Sequence, residues 1–159
     1  MATGDIRGNL NRLKRALHSV RYPENEIDES LASRGDPAVF LPMLHHVLLK
    51  FSRHVAGQIL RSGYELYAKT DVRFVETVQK LLSSEFGYRM SLTAKQFFSQ
   101  GFAERKMIMV HDVIQICRQR HNEVAKAMQA LLQGRLRRVQ PAAATCAWGR
   151  GVGEGAAGV

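Results

Sequence analysis

Residues 102–132 read FAERKMIMVHDVIQICRQRHNEVAKAMQALL, and the periodicity of this stretch decides the fold class. Met107, Met109, Val110, Val113, Ile114, Ile116 and Cys117 cover about half the circumference of a helix. A helix that apolar is expected at the centre of a helical assembly, with other helices wrapped around it. The stripe continues through His121, Val124, Met128 and Leu131, which predicts a helix longer than the core it serves. Arg135, Arg137 and Arg138 then close the ordered part.

Upstream, the chain supplies the partners that such a helix needs. Ile6, Leu10, Leu13, Leu17 and Val20 recur at spacings of 4, 3, 4 and 3, one face of a helix that Tyr22-Pro23 ends. The acidic stretch Glu24, Glu26, Asp28, Glu29 opens a brief helix that stops at Gly35. Asp36-Pro37 reads as an N-cap followed by proline at the first helical position. The helix it starts carries Val39, Phe40, Leu41, Met43, Leu44, Val47 and Leu48. Ser52 caps the next, with Val55, Ile59 and Leu60, up to Gly63. Thr70 or Asp71 starts a helix with Phe74, Val75, Val78, Leu81, Leu82 and Phe86 inward, closed by Gly87, and Thr93 starts a short one through Phe97 and Phe98. No strand pair and no internal repeat is legible. The expected fold is all-α, with about six or seven helices in a domain over residues 1–133. Residues 134–159 are expected to form a basic, then Ala/Gly-rich, disordered tail.

Catalytic and metal chemistry find little support. His45 and His46 are adjacent, so on a helix they point about 100° apart and cannot share a metal as i,i+4 histidines do. One is expected half-buried and the other on the surface. GRGVGEG at residues 149–155 has no strand before it and no helix after it, which a dinucleotide loop requires. Cys117 and Cys146 belong to no ligand spacing or disulfide framework and fit a reducing cytoplasmic compartment. A non-enzymatic domain with no cofactor is expected. No apolar run approaches the roughly 20 residues that cross a bilayer, and no membrane partner is expected.

The basic residues are more informative. Net charge is +9, which favours an acidic partner. Five Lys/Arg and no acid lie from Arg7 to Arg21, and eight against two acids lie from Arg105 to Arg138. In a small globule the two segments cannot be far apart, so a joint basic patch is expected. No helix-turn-helix, RNP or KH signature accompanies the charge, so nucleic acid is an unlikely partner.

An ordered series of fragments carries a resemblance. MATGD at the start, Tyr22-Pro23-Glu24, Gly35-Asp36-Pro37, Glu65-Leu66-x-Ala68-Lys69-x-Asp71-x-Arg73-Phe74, Lys80-Leu81-Leu82, Phe86-x-Tyr88, Lys95-Gln96-Phe97 and Gly101-Phe102-Ala103-Glu104-x-Lys106 stand in register. Together they resemble the N-terminal domain of the family of centrosomal proteins of 44 kDa, from Met1 to about His121. The resemblance implies a calponin-homology-like helical domain that binds tubulin in microtubules at the centriole, centrosome or basal body, among other centriolar proteins. It also implies a part in centriole integrity and centriole-to-centrosome conversion. Basic positions matching the family pattern are Arg7, Lys69, Arg73, Lys80, Arg89, Lys95 and Lys106, and these are the expected tubulin contacts. Arg105 joins them, standing where the family has tryptophan and adding a charge in place of an aromatic ring. The other expectation is a protein-interaction scaffold that recruits a centriolar component, through an apolar groove or the Val124–Leu132 stripe, without touching tubulin.

Overall fold

A computed structural model of the chain describes residues 4–139, and over that span it consists of helices and connecting turns with no strand. In order these are α1 (Ile6–Ser19), a 3-10 turn (Glu24–Glu26), α2 (Glu29–Arg34), α3 (Pro37–His45), a π turn (His46–Lys50), α4 (Arg53–Arg61), α5 (Asp71–Glu85), α6 (Ala94–Phe98) and α7 (Ala103–Val139). The all-α expectation holds.

Local chemistry explains most boundaries. Asp28 accepts from Ser30 and Leu31 N–H at the start of α2. Asp36 accepts from Ala38 N–H, with Pro37 at the first position of α3, where no N–H is needed. Thr93 and Gln96 cap one another reciprocally at α6. Helix α1 ends earlier than Tyr22-Pro23 suggests. Arg21 turns into the left-handed region (φ 57), and its N–H meets His18 O while Tyr22 N–H meets Leu17 O. That is a Schellman closure with arginine where glycine is the usual residue. The π turn has no marker in the local sequence; its Phe51 N–H reaches His46 O at 2.8 Å.

The core follows most of the periodic positions, while Ile6 and Leu60 are 41% and 53% exposed. Leu13, Leu17, Phe40, Leu44, Phe74, Leu81, Phe97, Met107, Val110 and Ile114 are all at 0% exposure. Each such side chain contributes roughly 1.5–3 kcal/mol on burial. Along α7, Met107, Met109, Val110, Val113, Ile114 and Cys117 are buried and Ile116 is half-buried, so the helix is as central as its sequence requires. No helix is long and apolar enough to cross a membrane among the described residues.

The chain divides into two units, Met1–Ala125 and Lys126–Val159, and α7 contributes to both. Two points differ from the expected boundary at residues 133 and 134. The first unit ends at Ala125, because every residue from Lys126 to Val139 is exposed and buries nothing. Residues 134–139, expected in the tail, are helical. Arginines are good helix formers, and near a helix C-terminus their charge complements the macrodipole, which outweighs the single Gly134. Cys146, the glycine-rich segment at 149–155 and the rest of the expected tail lie outside the described residues.

Candidate functional site

Of the eight cations expected to meet a partner, Lys106 is misplaced. It sits in the first turns of α7 at 0% exposure, on the inner face with Met107 and Val110. Its Nζ donates to Gly35 O and to Ser99 O, each at 2.6 Å, and lies 5.7 Å from the centre of the Phe97 ring. Burial pushes its pKa below the ordinary lysine value, with Asp36 acting in the opposite sense. A side chain so enclosed reaches no partner. Lys106 was expected as a contact because it matches the family pattern, but a match of residue type carries no information on exposure, and here the lysine falls among the buried Met107 and Val110.

The other seven, Arg7, Lys69, Arg73, Lys80, Arg89, Lys95 and Arg105, are exposed. Arg73 and Lys80 are seven residues apart on α5, two turns along one face. Lys80 and Arg89 line one open groove of about 600 Å³, together with Glu76, Gln79, Ser83 and Met90. Lys80 and Arg89 thus share one groove, whose lining includes the carboxylate Glu76, and Arg73 lies two turns upstream of Lys80 on α5. Arg7 on α1, Lys69 before α5, Lys95 on α6 and Arg105 on α7 stand on separate elements.

A second groove was not anticipated as a site. It also measures about 600 Å³ and is lined by Ser19, Val20, Arg21, His46, Lys50, Phe51, Arg118, His121 and Asn122. Arg21 comes from the first acid-free basic segment and Arg118 from the second, so the structure does bring those segments together. Lys50 arrives from the π turn. The sequence signal for this groove was Arg21 itself, an arginine directly before Tyr22-Pro23 where a helix must stop.

The histidines serve packing. His45 stacks on Phe74 with ring centres 3.7 Å apart, and burial lowers its pKa. His46 holds Val20 O through Nε2 at 2.9 Å, and His121 Nδ1 meets Ser52 Oγ at 2.8 Å. Both members of the adjacent pair are half-buried, whereas one was expected on the surface, because Tyr22 packs edge-on against His46. No cluster of three or more His, Cys, Asp or Glu placed to hold a metal occurs among the described residues.

Cys117 is fully buried, and burial pushes its thiol up to about 12. In a Cys146→Ser background, a disulfide reagent at pH 8 is expected to label no thiol in the native protein and one after denaturation, since only the thiolate attacks. Rapid native labelling would show that α7 opens locally.

Similarity to known proteins follows the same span as the helical unit. Residues 5–130 match the family model described as "Centrosomal spindle body, CEP44". The chain belongs to the CEP44 family. Relatives named "Centrosomal protein of 44 kDa" include that of Rattus norvegicus, 43% identical over 124 residues, covering 78% of this chain and 32% of the relative. The Homo sapiens protein is 38% identical over 135 residues, covering 85% of this chain and 34% of its own length. That of Xenopus tropicalis is 36% identical over 124 residues, covering 78% and 32%. The chain therefore spans about a third of the length of these CEP44 relatives. The matched region takes in α1 to α6 and most of α7, so both cationic grooves lie inside the CEP44 region.

Proposed function

We propose that this unit docks on microtubules through the exposed cationic edge formed by Arg73, Lys80 and Arg89. Membership of a family of centrosomal proteins supports a centrosome-associated role, and the relatives are named as centrosomal proteins rather than as enzymes. On this reading the helical unit is calponin-homology-like, and the other exposed cations, Arg7, Lys69, Lys95 and Arg105, add to its attraction for tubulin. The observation that carries the proposal is the placement of Lys80 and Arg89 on one groove, with Arg73 two turns upstream on the same helix. Cations held on a rigid helix steer toward an acidic polymer surface, and salt screens that attraction over about 10 Å at 0.1 M.

Co-sedimentation with microtubules across a salt series tests it. The chain pellets at low salt and progressively less as salt rises. Combining Arg73→Glu, Lys80→Glu and Arg89→Glu weakens pelleting by roughly tenfold or more, at about 0.5 kcal/mol for each lost exposed pair. Melting is unchanged, because all three side chains are exposed. Normal pelleting of this variant defeats the assignment of residues, and failure of the unaltered chain to pellet at low salt defeats the function.

The scaffold reading has one observation in its favour. Met128, Leu131, Leu132, Leu136 and Val139 are large, apolar and between 49% and 76% exposed along the end of α7. If pelleting proves insensitive both to salt and to removal of the acidic tubulin tails, recruitment through this stripe becomes the better account.

A further inference from the structure

The groove between the end of α1, the π turn and the middle of α7 draws cations from three separate segments. Arg21, Lys50 and Arg118 line it, with no carboxylate among its lining residues. The three form no ion pair among the described residues, where the pairs are Lys14 with Glu29, His111 with Asp112 and Arg120 with Glu123. Of the acidic stretch that follows Arg21, Asp28 caps α2 and Glu29 pairs with Lys14. Like charges brought together from three separate elements repel one another, a cost that an anionic occupant removes.

Arg21 adds an independent pointer. Its backbone is left-handed (φ 57), a conformation free of strain for glycine but not for arginine. Its exposed guanidinium is what glycine would lack.

We propose that this groove binds a carboxylate-rich peptide segment. Three cations and no carboxylate line the groove, a complement to a segment that carries several carboxylates. Two arginines offer planar forks that pair bidentately with carboxylates. Half-buried Phe51 supplies an apolar wall for the methylene groups of glutamate side chains. None of these residues belongs to the edge assigned to microtubule docking, so the site stands or falls separately from that reading.

The test is fluorescence anisotropy of a labelled oligoglutamate peptide with the full chain in low-salt buffer. The variant Arg21→Glu/Lys50→Glu/Arg118→Glu is expected to weaken binding by roughly tenfold or more. The matched variant Arg73→Glu/Lys80→Glu/Arg89→Glu, with the same net charge, is expected to bind within about twofold of the unaltered chain. Equal loss in both variants, or loss in neither, overturns the proposal, as does absence of binding by the unaltered chain. Displacement by inorganic phosphate but not by chloride at equal ionic strength also overturns it, in favour of a phosphate site. Arg21→Gly removes the strained arginine without threatening the fold. It is expected to keep or raise the melting temperature while weakening the peptide, and a variant that binds unchanged counts against the groove.

Discussion

Replacing Gly35 with alanine is expected to cost about 4 kcal/mol and to lower the melting temperature by about 15 °C. Two effects add. Gly35 closes α2 with φ 74, a backbone conformation that costs an L-residue roughly 1–2 kcal/mol. A Cβ there would also lie 2.1 Å from the carbonyl oxygen of Gly101 and 2.7 Å from its carbon. Both are backbone atoms and cannot rotate away. The close approach is itself bonded, because Gly101 N–H donates to Arg34 O at 3.0 Å. The α2–α3 junction is thereby clasped against the α6–α7 junction, and a side chain at Gly35 forces the clasp apart. Gly87→Ala is the control. Its φ of 63 carries a similar strain but no heavy atom waits within 4 Å, so it should cost only about 1 kcal/mol. Equal losses in thermal melts of the two variants would show that the clasp contributes nothing.

Lys106→Met is the second large effect, expected to cost about 3 kcal/mol although the volume is nearly conserved. The methionine fills the space but leaves Gly35 O and Ser99 O without the donor that now meets both at 2.6 Å. A buried acceptor without a partner loses roughly 1–3 kcal/mol, and Gly35 is part of the clasp just described. The loss should depend on pH in a definite direction. Burial holds the Lys106 pKa below its ordinary value, so between the two values the folded chain binds fewer protons than the unfolded one. Stability from this group therefore rises as pH rises through the folded value toward the ordinary one, and is least where both states are protonated. The deficit of the methionine variant, measured by urea unfolding, should widen toward alkaline pH. A deficit that is flat or narrows would mean that the lysine is held as a cation with no burial penalty. Lys106→Glu is expected to be worse still, setting a carboxylate against two carbonyl oxygens.

These two residues also show where a linear reading succeeds and where it stops. Gly35 was legible as a helix stop because the chain needs a left-handed turn between Arg34 and the Asp36-Pro37 start of α3, and such signals act over three or four residues. That Gly35 touches Gly101 was not legible, since the contact joins two glycines far apart in the chain. Lys106 failed for the same reason. Its acceptors lie on two other segments, and no local pattern marks a lysine that will be enclosed by them.

The basic surface divides in the same way. Acid-free runs at Arg7–Arg21 and excess charge from Arg105 onward foretold that cations would gather. Which of them gather was set by packing: the π turn delivers Lys50, and the Schellman closure delivers Arg21 to the groove that Arg118 reaches from α7. Helix identity, the Asp and Thr N-caps and most apolar faces are short-range properties of 3.6-residue periodicity and backbone preference, so residue order alone settled them, whereas the arginine closure of α1 and the π turn were not legible. Whether a charged side chain meets water or a carbonyl depends on which distant segments close over it. That was decided only when α7 was enclosed.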